Sequence, residues 1–481
     1  MKKLAAFILT ALLATLTLSA LAEAVTYEAE EAELHGKVAV SSDAKASGSK
    51  VIGRFESGDD TADFHISIPA DGMYDLVFTC RGIGGGKTNR VAVDGVQQGE
   101  FTCAGETFED CTVRSIWLTA GPHTVTVSKS WGWIWLDRLT VTPAELIPDG
   151  VYDVSPTLSN PNANEDAQKL FRYLCECYGK VTLAGQHSEY GTIGMECHTI
   201  HQVTGKYPAI IGYDLMSYSP ARREHGGNGS NSVEQAIKFH EQGGIVTFCW
   251  HWNAPNQYLK SGTDNGNPRW WGGFYTRNTN FDVDAVMNGR DPEGKALLDR
   301  DVKAIAEQLL RLQEAGVPVL WRPLHESSGG WFWWGAKGAE PFRQLWVYIY
   351  NELTYTYGCN NFIWIWNARY ADWYPGDEYV DIIGEDVYAD PHDYNAQSSL
   401  FHEVMTVPET PRLIALTEVG VVPDIEQMIA ANARWLWFNT WGGDYVYSKA
   451  KYSDKYTEAE LLKKVYDSEY VITLDELPSF D

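Results

Sequence analysis

Basic residues are scarce in this 481-residue chain: 38 Lys and Arg stand against 64 Asp and Glu, a net charge of −26. Such a chain is repelled by phosphate backbones and anionic lipid, which excludes nucleic acid and membrane surfaces as partners and favours a neutral substrate. No segment after residue 24 is long and apolar enough to span a bilayer. No CxxC pair or Cys/His array has zinc spacing, and no glycine-rich nucleotide fingerprint follows the first strand of the larger domain. Cysteines number eight, with Cys80, Cys103 and Cys111 early and Cys175, Cys177, Cys197, Cys249 and Cys359 later. Both groups are odd, so not every cysteine can pair within its own half. Cys103–Cys111 reads as a loop staple and Cys249 as a core thiol. Tryptophan, by contrast, is plentiful (19 residues). Flat indole faces suit the apolar faces of sugar rings, although many must simply fill the core.

Lys2-Lys3, an apolar stretch from Leu4 to Leu21 and Ala22-Glu23-Ala24 have the form of a secretory signal. Cleavage after Ala24 is expected to release a secreted, extracellular protein, with a monomer as the default state. Residues 25–143 read as short strands (DGMYDLVFTCRG, TNRVAVDGV, SIWLTAGPHTVTVSKS, WGWIWLDRLTV) broken by Gly and Pro, the pattern of an all-β sandwich. Trp131, Trp133 and Trp135 alternate and would share one face of a strand. Residues 144–162 carry three prolines and little periodicity, a linker that also begins the next domain.

From there to residue 481 strands alternate with helical patterns such as LLDRDVKAIAEQLLRLQEAG. Eight strands are predicted: KVTLAGQH, PAIIGYDL, GIVTFCWHW, PVLWRPLHE, NFIWIWNA, YVDIIGEDVY, RLIALTEVG and WLWFNTWG. Continuous apolar runs suit parallel strands buried on both faces, and eight repeats over 163–481 predict a (β/α)8 TIM barrel of the α/β class. Catalytic residues of a barrel stand at the carboxyl ends of its strands. Those ends supply Gln186-His187, Asp214, His251, His325-Glu326, Asn367, Asp386 with Tyr388, Glu418 and Trp441. Glycoside hydrolysis needs two carboxyls across the scissile bond. Glu326 on the fourth strand and Glu418 on the seventh lie across the ring from each other and can face one another over its mouth.

WRPLHESSGGWFWWG (321–335) closely resembles the acid/base motif of glycoside hydrolase family 26, and TEVG (417–420) its nucleophile strand. GQH, WHW and EDVY fall where that family has them. The resemblance implies an endo-β-1,4-mannanase that retains anomeric configuration and needs no cofactor for catalysis. Its substrates are β-mannan polysaccharide (mannan, glucomannan, galactomannan) and manno-oligosaccharides. By the same resemblance Glu326 is the acid/base and Glu418 the nucleophile. His325 orients the acid or contacts sugar, and His251 bonds sugar on the non-reducing side. Tyr388 and Arg322 steady Glu418 in its ionised form, Trp331 is a leaving-group platform, and Trp441 stacks under the reacting mannose. Trp333 and Trp334 read as core. The alternatives are a same-family hydrolase of β-1,3-xylan or mixed-linkage β-glucan, a mannobiose-releasing exo-mannanase, and a non-catalytic sugar-binding protein. Within the insertion at about 253–296, Trp270 and Trp271 are candidates for a distal subsite. YEAEEAEL (27–34) and WLDRLTV (135–141) resemble carbohydrate-binding module family 35, which implies structural Ca2+ held by Glu28, Glu30 and Asp137.

Overall fold

The computed structural model describes residues 23–188, 191–226 and 230–480. The expected signal segment therefore lies almost wholly outside the described residues. Among them, no helix is long and apolar enough to cross a membrane.

The first domain is built from β1 (Val25–Glu28), β2 (Glu33–Leu34), β3 (Ala39–Ser42), β4 (Lys50–Gly53), β5 (Thr61–Ile68), β6 (Gly72–Gly82), β7 (Lys87–Val93), β8 (Val96–Cys103), β9 (Glu109–Leu118), β10 (Gly121–Trp131) and β11 (Ile134–Pro143). They form two antiparallel sheets, β3-β4-β11-β6-β9 with β1 on β11, and β2-β5-β10-β7-β8. In β5 the residues Ala62, Phe64, Ile66 and Ile68 are buried while their neighbours are not, the period-two alternation of a strand with one wet face. Phe78 and Phe101 meet across the sandwich with ring centroids 4.4 Å apart. The tryptophan stripe is not one strand, however. Gly132 has φ +103°, a left-handed turn, and the chain crosses there from one sheet to the other. Trp131 ends β10 and Trp135 lies on β11, so only Trp131 and Trp133 are exposed, 75% and 49%.

The second domain is a closed parallel barrel of β12 (Thr182–His187), β13 (Ile210–Asp214), β14 (Ile245–Cys249), β17 (Val319–Arg322), β18 (Phe362–Trp366), β19 (Ile382–Val387), β20 (Leu413–Val419) and β21 (Trp437–Thr440). Pairing of β12 with both β13 and β21 closes the ring. All eight predicted strands are present. A small hairpin, β15 (Thr263–Asp264) and β16 (Asn267–Pro268), lies within the insertion after β14. The 144–162 stretch is no free tether: Ile147, Val151 and Leu158 are buried in the barrel's own core cluster.

The two domains dock. Met73 belongs to the barrel's hydrophobic cluster and Trp117 packs against it. The Ser398 hydroxyl donates to Ser115 O at 2.6 Å, and Asn395 Nδ2 donates to Gln98 Oε1 at 2.6 Å.

Candidate active site

Strand β17 stops at Arg322, earlier than the apolar run suggests, and a turn then carries the chain to Glu326. Leu324 and Glu326 both adopt left-handed backbone, φ 54° and 52°. Such conformations cost of order 1–3 kcal/mol each and persist only where the surroundings enforce them. Here Glu326 N donates to Asn367 Oδ1 at 2.8 Å, and the loop returns so tightly that any Cβ on Gly335 would lie 1.7 Å from Ser327 O. Beneath the loop, Trp333 and Trp334 are fully buried, their indole N–H groups donating to Trp252 O (2.7 Å) and His325 O (2.9 Å). They hold the turn from below. Trp331 points the other way, 47% exposed, and its Nε1–H donates to Glu326 Oε2 at 2.8 Å.

Across the mouth, Glu418 is 3% exposed and both of its oxygens face donors. Oε1 accepts from Arg322 and Oε2 from the Tyr388 hydroxyl. The second Arg322 fork donates to Asp386 Oδ2 at 2.6 Å. Asp386 Oδ1 accepts from Thr417 Oγ1 (2.6 Å), which in turn accepts from Asn367 Nδ2 at 3.0 Å. One continuous hydrogen-bonded chain therefore runs from the Glu326 backbone through Asn367, Thr417, Asp386 and Arg322 to Glu418 and Tyr388. Oxygens of Glu326, Asp386 and Glu418 all lie within 4.8 Å of one another. A pair of carboxyls about 5–5.5 Å apart is the spacing of retention, whereas inversion needs about 6.5–9.5 Å.

Three carboxyls around one guanidinium cannot all ionise freely. Burial and the Asp386 charge push Glu326 up to about 7. Burial and Asp386 also push Glu418 up, against the pull of Arg322 and Tyr388. The expected contacts of Arg322 and Tyr388 with Glu418 are in place, and both favour its ionised form against desolvation and the charge of a third carboxylate.

The imidazoles form a second chain. His251 Nδ1 is 2.7 Å from Asp214 Oδ2, and His251 Nε2 is 3.2 Å from His325 Nε2. Burial opposes charge on His251, but the Asp214 carboxylate prevails and its pKa is raised. Burial, with the Arg322 charge, holds His325 neutral. Trp441 is half-buried, and one of its faces is covered by the His187 ring at 4.1 Å and 14°. The insertion is braced to the Glu326 loop: Thr276 N donates to Trp331 O at 2.8 Å and Thr276 Oγ1 to Gly330 O at 2.9 Å. Farther out, Trp271 is 53% exposed over Arg222, 4.5 Å from its guanidinium, and Trp270 stacks on His225.

Asp386, Asn367 and Asp214 were visible in the sequence only as polar strand ends. What they touch depends on which neighbours the ring brings beside them. In the first domain, Glu28 Oε2 and Glu30 Oε2 are buried without a hydrogen-bond partner among the described residues, and Asp137 is 2% exposed. Both loop atoms of Ser47 reach the cluster, its N to Asp137 Oδ1 (2.8 Å) and its Oγ to Glu28 Oε1 (3.0 Å). Orphaned hard oxygen donors of this kind fit a calcium ion.

Barrel, carboxyl pair and aromatic rim together define a glycoside hydrolase. Comparison with known proteins narrows the class. The profile of Glycosyl hydrolase family 26 matches residues 159–476, and that of Carbohydrate binding module (family 35) matches residues 25–144. The chain belongs to glycoside hydrolase family 26. It is 40% identical over 459 residues to a mannan endo-1,4-beta-mannosidase of Thermothelomyces thermophilus, covering 94% of this chain and 90% of that one. It is 33% identical over 475 residues to mannan endo-1,4-beta-mannosidase B of Piromyces sp, covering 96% and 79%. Among solved structures, a Podospora anserina GH26-CBM35 beta-(1,4)-mannanase superposes with TM-score 0.66 at 40% identity over 95% of this chain and 99% of that one. A beta-mannanase from a symbiotic protist of the termite Reticulitermes speratus, complexed with gluco-manno-oligosaccharide, gives 0.58 at 33% identity over 68% and 98%.

Proposed function

We propose that the chain hydrolyses internal β-1,4-mannosidic bonds of mannan, glucomannan and galactomannan by double displacement with retention. The observation that carries this reading is the approach of Glu326 and Glu418 to within 4.8 Å at the mouth of the barrel. Both Glu418 oxygens face donors, and a proton there would have to displace one of them. Among the described residues, the Glu326 carboxyl meets one indole N–H and no cation in its hydrogen bonds. The proton shared by the carboxyl cluster therefore resides on Glu326. Glu326 protonates the leaving oxygen while Glu418 attacks the anomeric carbon. Deprotonated Glu326 then draws a proton from water as that water releases the sugar from Glu418. Arg322 and Tyr388 aim Glu418, Trp441 offers its open face to the reacting mannose, and Trp331 supports the leaving group. His251, anchored by Asp214, and His325 line the non-reducing side of the cut.

Glu28, Glu30 and Asp137 would hold a calcium ion that neutralises their charge and clips the ends of the sandwich together. The exposed pair Trp131 and Trp133 tethers the enzyme to polysaccharide, and the secreted protein is released by cleavage after Ala24. Fresh reducing ends should appear from galactomannan and not from β-1,3-xylan or barley glucan. Proton resonance should find them first in the β configuration; α-first ends, or no release from galactomannan, overturn the proposal.

A further inference from the structure

Three thiols converge inside the sandwich, away from the barrel. Cys80 Sγ lies 3.1 Å from Cys103 Sγ and 3.6 Å from Cys111 Sγ, and all three sulfurs lie within 4.8 Å of one another. Cys80 and Cys103 are 0% exposed. Strand register explains the Cys80–Cys111 pair: Cys80 faces Glu109 and Phe78 faces Cys111, so Cys80 and Cys111 are diagonal neighbours on the inner face of β6 and β9. Cys103 arrives from the opposite sheet, at the end of β8. Sheets in a sandwich stand about 10 Å apart, too far for a disulfide, whose Cα atoms span about 4.4–6.8 Å. At this end the sheets pinch together: Gly82 N donates to Gly105 O at 2.7 Å, and a Cβ on Gly82 would lie 3.2 Å from the same Gly105 O.

A soft metal ion and a covalent bridge both suit clustered sulfurs, but electrostatics separates them. Three thiolates around a monovalent or divalent cation leave net negative charge in an apolar interior. The Glu109 carboxylate acts on Cys103 and that of Asp110 on Cys111, which makes such charge costlier. A disulfide is neutral.

We infer that Cys80 is the hub of an internal cross-link, bonding to Cys103 to tie the two sheets together, with Cys111 poised as the alternative partner. A small-molecule disulfide is the oxidant. Cys80 and Cys103 give up two protons and two electrons to it, through a mixed disulfide, and it leaves as two thiols. Attack of Cys111 on the Cys80 sulfur expels Cys103 as a thiol and moves the bridge with no net oxidation. The cross-link sits behind the 82–86 turn, where Ile83 N donates to Trp133 O at 3.0 Å and the Lys87 side chain lies against Gly132. It therefore braces the turn carrying the exposed Trp131 and Trp133. The Cys103–Cys111 staple expected from spacing is the competing pair, its sulfurs within the same 4.8 Å.

The full chain, equilibrated with oxidised glutathione, is denatured and alkylated without reduction, and its peptides are mapped. Two of the eight cysteines should escape alkylation, joined as Cys80–Cys103. Cys111→Ser should keep that bridge, and Cys103→Ser should show Cys80–Cys111. Cys80→Ser should lose both, and its first unfolding transition should fall by several degrees in oxidising but not reducing buffer. Eight alkylated cysteines, a bridge that omits Cys80, or loss of the bridge in Cys111→Ser would each overturn the inference. So would one equivalent of zinc(II) or copper(I), held by unbridged wild type and lost in Cys80→Ser. Should Cys80→Ser not fold, the other two variants still decide.

Discussion

Replacing Asp386 with Asn keeps the shape of the carboxyl cluster and removes one of its charges. Asp386, Glu326 and Glu418 have oxygens within 4.8 Å of one another, so the Asp386 charge acts on Glu326 at close range. At an effective dielectric of about 20, a unit charge at that distance is worth roughly 3.5 kcal/mol, or about 2.5 pKa units. Arg322, bonded to Asp386 at 2.6 Å, keeps its charge in the variant, so its own field on Glu326 cancels from the difference and the shift is that of the Asp386 charge alone. The sign follows directly. Glu326 is raised to about 7 by burial and by Asp386, and removing a negative neighbour makes its proton easier to lose. The basic limb of the kcat/KM profile on a soluble manno-oligosaccharide should therefore move about two units toward lower pH. Arg322, released from Asp386, is free to bond Glu418 alone, so the acid limb should move downward too. The measurement is a full pH profile with anomeric retention checked for the variant. A basic limb that stays in place or moves upward refutes the assignment of the shared proton to Glu326 under the influence of Asp386.

The remaining expectations concern single contacts. Glu418→Ala should lower turnover at least about 10⁴-fold while calorimetric binding of mannohexaose survives; normal turnover in the purified variant defeats its role as nucleophile. Trp270→Ala with Trp271→Ala should raise KM for long oligosaccharides several-fold and leave short ones unchanged, since both rings belong to the insertion after β14 and pack on Arg222 and His225. Trp131→Ala with Trp133→Ala should slow hydrolysis of insoluble mannan only, because a tether raises local concentration at a surface and does nothing for soluble chains; equal rates on both substrates remove the tether. Chelation by EGTA should lower the melting temperature of wild type and not of Glu28→Gln with Glu30→Gln, whose orphaned oxygens no longer carry charge.

Much of the barrel was legible because burial on both faces writes each parallel strand as an unbroken apolar run, and the polar residue ending each run marks the mouth of the ring. Glu326 and Glu418 stand among the acidic strand ends that this rule picks out, and the tryptophan-dense segment after Glu326 set them in a family. Elements were less legible where conformation rather than composition decides. Strand β17 stops four residues before Glu326 because two left-handed residues redirect the chain. The indole stripe at 131–135 is split because one left-handed glycine moves the chain between sheets.

What the sequence determined by itself is the order of strands and helices, the two domains and the identity of the residues at the barrel's rim, since these follow from local periodicity and spacing. Tertiary structure alone decided which of those residues meet. Asp386 sharing Arg322 with Glu418, Asp214 anchoring His251, and Cys80 lying between two other thiols are contacts between strands far apart in the chain. So is the protonation of the carboxyl cluster, because desolvation and the distances between charges exist only once the ring has closed.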